Sequence, residues 1–152
     1  MCVIVDANVW PDFCSDPTRT RFGKVRAWLE SDEGCLVYGG TRYRAEVRPI
    51  RAALQLLTEY VRAGRAVQYR DAPIDNEAAR IEREGRTRSN DQHILALARV
   101  SGARILCTDD KRLMSDFKNR ELVPDPRGRV YPRNNRRFDL GHHGRCPMPD
   151  PV

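Results

Sequence analysis

Short strand-like stretches, the first of them continuously apolar, alternate along this chain with segments whose apolar residues recur every three or four positions. "CVIV" at 2–5, "CLVY" at 35–38, "AVQY" at 66–69, "RILC" at 104–107 and "GRVY" at 128–131 are of the first kind. A strand buried on both faces reads as a continuous apolar run, as in a parallel sheet. Between these runs the period changes. Phe22, Val25, Trp28 and Leu29 make one stripe of a helix over 19–31. Tyr43, Val47, Ile50, Leu54, Leu57 and Val61 make another, which Pro49 must kink or divide. Residues 75–84 read as a charged surface helix, with Glu77, Glu82 and Glu84 facing solvent. Ser89-Asn90 caps "DQHILALARV", which Gly102 closes, and a last helix covers 111–118. Strands alternating with helices predict an α/β domain around a mainly parallel sheet of four to five strands. The domain spans 1–132, and 133–152, rich in Pro, Gly, Arg and Asn, reads as an irregular basic tail.

Some acidic residues interrupt this pattern where a charge is costly. Asp6 directly follows the first strand, and Asp109 and Asp110 follow the run that ends at Cys107. In open parallel sheets ligands bind outside the carboxyl ends of the strands. Asp91 shares a helical face with Leu95 and Ala98, and Glu46 interrupts the stripe of Tyr43, Ile50 and Leu54. Carboxylates gathered at one sheet edge raise one another's pKa. A divalent cation relieves that penalty, and all-oxygen ligation suits Mg²⁺ or Mn²⁺. At least one of the adjacent aspartates is therefore expected to meet a cation.

Charge then narrows the partner. The formal net charge is +6, carried mostly by arginine, which pairs bidentately with phosphate. Arg42 and Arg44 flank Glu46, Arg86 and Arg88 precede Asp91, and Lys111 and Arg112 follow Asp110. Basic residues around acidic motifs suit a rim that tracks phosphates. A hard cation in an acidic pocket of a basic protein fits phosphodiester hydrolysis. No run approaches a membrane span, and "MCVIVDANVW" has neither a basic leader nor a cleavage site, so a cytoplasmic protein is expected. Five cysteines without a CxxC pair, of which Cys2, Cys35 and Cys107 fall in apolar runs, predict free thiols.

With "VIVDANV", "GGTRYRAEV", "SNDQHILALA", "LCTDDKRL" and the closing "GRVYP" in this order, the chain resembles the PIN domain family over residues 2–132. That resemblance implies a Rossmann-like three-layer α/β/α fold and metal-dependent cleavage of RNA, leaving 5′-phosphate and 3′-hydroxyl ends. It implies Asp6, Glu46, Asp91 and Asp110 as the catalytic acids, with Asp6, Asp91 and Asp110 on the metal. Thr108 is then a supporting hydroxyl and Asn8 matches a small polar position. Asp109 is left to cap the helix or to reach the metal through water. Arg42, Arg44, Arg88 and Lys111 would hold RNA. Similar small PIN proteins include toxins of toxin–antitoxin pairs, usually homodimers silenced by an antitoxin protein, and enzymes of RNA processing or defence.

Other residues read more plainly. His93, two positions past Asp91, is expected near the opposite, exposed face of its helix, and Trp10 and Trp28 in the core. His142, His143 and Cys146 match no common zinc spacing. One rival is a haloacid-dehalogenase-like phosphatase, although Asn8 stands where that chemistry wants a second acid. Another is a non-catalytic RNA-binding scaffold.

Overall fold

The computed structural model describes residues 1–132 and 138–141. Five strands form one parallel sheet: β1 (Cys2–Val5), β2 (Cys35–Gly39), β3 (Ala66–Tyr69), β4 (Ile105–Cys107) and β5 (Arg129–Val130). Their order is β3-β2-β1-β4-β5. Seven α-helices flank them among the described residues: α1 (Trp10–Phe13), α2 (Gly23–Glu30), α3 (Thr41–Val47), α4 (Arg51–Arg62), α5 (Asp71–Glu84), α6 (Gln92–Ser101) and α7 (Lys111–Lys118). Every residue of β1 and β4 is buried, because helices cover both faces of the sheet. The result is a Rossmann-like α/β/α sandwich. None of the described helices is long and apolar enough to cross a membrane.

The strand order fixes where a site can form. From β1 the chain builds outward to β2 and β3, then returns to add β4 and β5 on the other side. The direction of winding reverses between β1 and β4, and such a reversal opens a crevice at the strands' carboxyl ends. Val5 pairs with Cys107 at the last position of the shared register, so Asp6 and Thr108 leave the sheet side by side. The Asp6 N–H donates to the Cys107 carbonyl at 2.9 Å, which carries the pairing one residue further.

Several sequence expectations change at this level. The helix foreseen over 19–31 begins only at Gly23, although Phe22, Val25, Trp28 and Leu29 are all buried as its stripe requires. Pro49 does divide the next run, and phase is not carried across the break. Helix α4 buries Ala53, Leu56, Leu57 and Tyr60, leaving Leu54 and Val61 exposed. Helix α5 starts at Asp71, and Glu77 is half-buried in an ion pair with Arg99 (2.8 Å) rather than facing solvent. Cys2 is disulfide-bonded, which corrects its reading as a free thiol, whereas Cys14, Cys35 and Cys107 carry thiols. Residues 138–141 form no helix or strand, yet Phe138 packs edge-on to Tyr131 at 5.4 Å. The Trp28 indole donates to the Gly141 carbonyl at 2.9 Å. His142, His143 and Cys146 lie outside the described residues, as does the remainder of the tail.

Candidate metal centre

Each acid reaches the crevice by a different local device. Asp6 follows a strand buried at every position and is itself only 5% exposed. The Thr108 hydroxyl donates to its Oδ2 at 2.7 Å. Burial pushes the Asp6 carboxyl above its usual pKa, against the Thr108 hydroxyl and the Ala7 N–H; the Glu46 and Asp110 charges push it further up.

Glu46 is carried by α3, which a short hydrogen-bond chain docks against the sheet. The buried Tyr43 hydroxyl donates to the Val5 carbonyl at 2.6 Å and accepts from the Trp10 indole at 3.0 Å. Tyr43 is one turn before Glu46, so this anchoring turns Glu46 toward the end of β1. Trp10 is thus a core aromatic, as expected, and also a strut behind the site.

Asp91 stands at the N-cap position of α6 rather than in its first turn, and its carboxylate makes no capping hydrogen bond. The preceding segment is held by Asp116 of α7, a buried acid. Asp116 accepts the Arg88 N–H (2.9 Å), the Ser89 N–H (2.9 Å) and the Ser89 hydroxyl (2.7 Å). The Asp91 carboxyl is pushed up to about 7. Burial contributes most, followed by the Asp6 charge and a hydrogen bond and charge from Asp110, with Arg42 opposing them.

Asp109 and Asp110 separate cleanly. Asp110 caps α7, its Oδ1 accepting the N–H groups of Arg112 (2.9 Å) and Leu113 (3.2 Å), while its own N–H donates to Thr108 Oγ1 at 3.1 Å. Its charge bears on both Asp6 and Asp91. Asp109 turns outward and pairs with Arg21 at 2.6 Å. The pair answers two needs: one cap inside the crevice, and one exposed ion pair.

The basic residues divide as well. Arg42 lies within the crevice: its Nε donates to Glu46 at 3.1 Å, one Nη to the Asn90 carbonyl at 2.6 Å, and the other approaches Asp91 at 3.9 Å. Arg44 pairs with Asp71. Arg88 and Lys111 are exposed and line a separate concavity.

His93 corrects the sequence reading. It is 4% exposed, and its Nε2 lies 3.2 Å from Glu46 Oε2. Helix α6 buries an uninterrupted run from His93 to Ala98, so it has no solvent face at that level. Burial lowers the His93 pKa, partly opposed by the Glu46 charge, which favours a neutral imidazole. One ligand atom each from Glu46, Asp91 and His93 lie within 4.8 Å of one another, close enough to share a cation. Asp91 belongs to this donor set, while Asp6 and Asp110, expected to share a metal with it, bear on it through their charges. His93 Nδ1 is buried without a hydrogen-bond partner, whereas a ligating histidine usually donates its other ring N–H to a carboxylate or carbonyl. That favours the carboxylates as ligands and His93 as the group that orients Glu46.

Asp116 and His93 are the functional residues that sequence reasoning missed. Asp116 had a usable signal, since it stands three residues after Leu113 and beside Phe117 on an apolar helix face. No family model, curated protein or solved structure matches this chain.

Proposed function

We propose that this protein is a divalent-metal-dependent endoribonuclease of the PIN-domain type. One observation carries the reading. Carboxylates from four separate stretches, Asp6, Glu46, Asp91 and Asp110, act electrostatically on one another at the reversal point of the sheet. Their mutual repulsion is what a cation relieves, and the donor set is rich in hard oxygen, which suits Mg²⁺ or Mn²⁺.

Asp6, Asp91 and Asp110 would hold the ion, and Glu46 stands beside them, steered by Arg42 and His93. Once bound, the metal supplies an activated water and stabilises charge on the phosphate. In the hydrolysis such an ion would support, water oxygen would bond to phosphorus as the P–O3′ bond breaks, and the proton lost by the water would balance the one gained by the departing 3′ oxygen. Thr108 and the N-terminal N–H groups of α7 keep Asp6 and Asp110 oriented without titrating. A phosphatase built on Asp6 as nucleophile is less well supported, because its helper position holds Asn8, an exposed amide.

The test is cleavage of labelled single-stranded RNA with Mn²⁺, Mg²⁺ or EDTA. The expected result is cleavage with either metal, none in EDTA, and none by Asp91→Asn. Activity that persists in excess EDTA would overturn the proposal. RNA binding without cleavage under any metal would instead identify a scaffold.

A further inference from the structure

Beside the acidic crevice lies a concavity of about 440 Å³ whose wall includes Arg86, Arg88, Lys111, Lys118 and Arg127. Asp116 is the one carboxylate in that wall, and it is buried, with both oxygens committed to the Arg88–Ser89 backbone and the Ser89 hydroxyl. It offers the groove little free negative charge. Arg86 is paired with Glu84 (2.8 Å) and Glu121 (3.5 Å), and Arg127 Nε donates to the Lys118 carbonyl (3.0 Å). The side chains of Arg88, Lys111 and Lys118 have no ion-pair partner among the described residues, whereas Arg21, Arg42, Arg44, Arg86 and Arg99 are each paired. Like charges left facing one another in a concave wall mark a place for an anion.

The position of this wall identifies the anion. Lys111 is the residue after Asp110, and Arg88 lies on the segment that delivers Asp91, so the groove opens beside two of the four acids. Lys111 and Lys118 are two helical turns apart on one face of α7, about 10 Å along its axis. That length can follow consecutive phosphates of one strand rather than a single anion. A small anion such as a metabolite carboxylate needs no track of this length.

We propose that this groove between the 86–88 segment and α7 binds the phosphate backbone of single-stranded RNA next to the scissile bond. The inference rests on the ribonuclease reading and adds the substrate's path, with Lys118 and Arg127 as contacts far from the acidic motifs. It also separates Lys111 and Arg88, which line the track, from Arg42 and Arg44, which are engaged within the chain.

The test is fluorescence anisotropy of a short labelled single-stranded RNA with the full chain in EDTA, repeated over a salt series. The Lys111→Glu/Lys118→Glu variant is compared with wild type and with Arg62→Glu, an exposed charge reversal on α4. The groove variant is expected to bind at least about tenfold more weakly, with the slope of log affinity against log salt shallower by about 2. Arg62→Glu should stay within about twofold of wild type. A milder Lys111→Gln/Lys118→Gln variant, checked by thermal unfolding, separates lost contacts from lost folding. Equal RNA affinity for the groove variants and Arg62→Glu, in a protein that still cleaves RNA with Mn²⁺, would overturn the groove alone. A wild-type protein that neither binds nor cleaves RNA would overturn both readings.

Discussion

On one side of the α7 N-terminus, Asp6, Glu46, Asp91 and Asp110 crowd into a crevice where Asp6 is almost wholly buried. On the other side, Arg88, Lys111 and Lys118 stand exposed along a groove. Both regions concentrate charge of one sign, and they sustain it differently. In the crevice, Asp6 is buried and Asp91 mostly so, and the protein supplies fixed donors: the Thr108 hydroxyl, the first N–H groups of α7, and Arg42 laid across Glu46 and Asp91. Even so, the carboxyl pKa values of Asp6 and Asp91 are raised. In the groove, solvent screens the cations, and flexible side chains can move apart. Burial makes the first region a store of electrostatic strain that a compact cation would discharge. Exposure makes the second a weaker, salt-sensitive attraction suited to a long polyanion.

The comparison breaks first if the crevice acids are not catalytic. Asp6→Asn and Asp91→Asn should each lower Mn²⁺-dependent RNA cleavage by at least ~10³-fold, the scale of several kcal/mol of lost charge stabilisation. Circular dichroism should meanwhile show a folded protein, and metal-free melting no earlier than wild type, because repulsion is relieved. Residual cleavage within tenfold of wild type in both variants would remove the crevice from the mechanism.

Asp116 is the structural link between the two regions, since it fixes Arg88 and Ser89 on the way to Asp91. Replacing it with Ala strands buried donors and should reduce stability by about 3 kcal/mol. Denaturant unfolding measures this directly, and a loss below about 1 kcal/mol would show that the segment holds itself.

The pH response sharpens the contrast further. Asp91 has an ordinary value of 3.8 and is raised to about 7 in the fold. Between those values the folded state binds more protons than the unfolded one, so metal-free stability falls as pH rises through this window. Asp6 acts in the same direction. The melting temperature in EDTA should drop by several degrees from pH 5 to pH 7.5, and Asp91→Asn should flatten the curve. Saturating Mn²⁺ should offset the loss at neutral pH. A metal-free protein that becomes more stable over this range would contradict the electrostatic picture.

The smallest effect is expected at His93. His93→Gln keeps a polar group near Glu46 but loses the imidazole, and calorimetry should find Mn²⁺ affinity weaker by about tenfold. Unchanged affinity would mean that Glu46 is oriented without it. A loss of a hundredfold or more would make His93 a ligand.

Much of this architecture was legible in the chain. Short apolar runs located the strands: β1 and β4, buried throughout, are apolar at every position, whereas β3 carries the exposed Gln68 and β5 the half-buried Arg129. Pro49 marked the division between α3 and α4, and Gly102 the end of α6 in a left-handed conformation. Asp6 and Asp110 stood out because each directly follows or nearly follows a buried strand. The Leu54 and Val61 stripe was misread because periodicity was extended across a proline that resets the helix phase. Asp116 went unread although it interrupts an apolar face in the same way as Glu46.

The sequence by itself determined which residues are strands, which carboxylates stand at their ends, and that arginine dominates the charge. It did so through local rules: period, caps and breaks act within a few residues. Only the tertiary structure decided that His93 is buried against Glu46, that Arg42 enters the crevice while Lys111 and Arg88 line a groove, and that Asp109 turns outward while Asp110 turns in. Those outcomes depend on what packs around an element. A helical period reports the angle of a side chain about its own axis, and α6, covered on every side at His93, has no outer face for that angle to name.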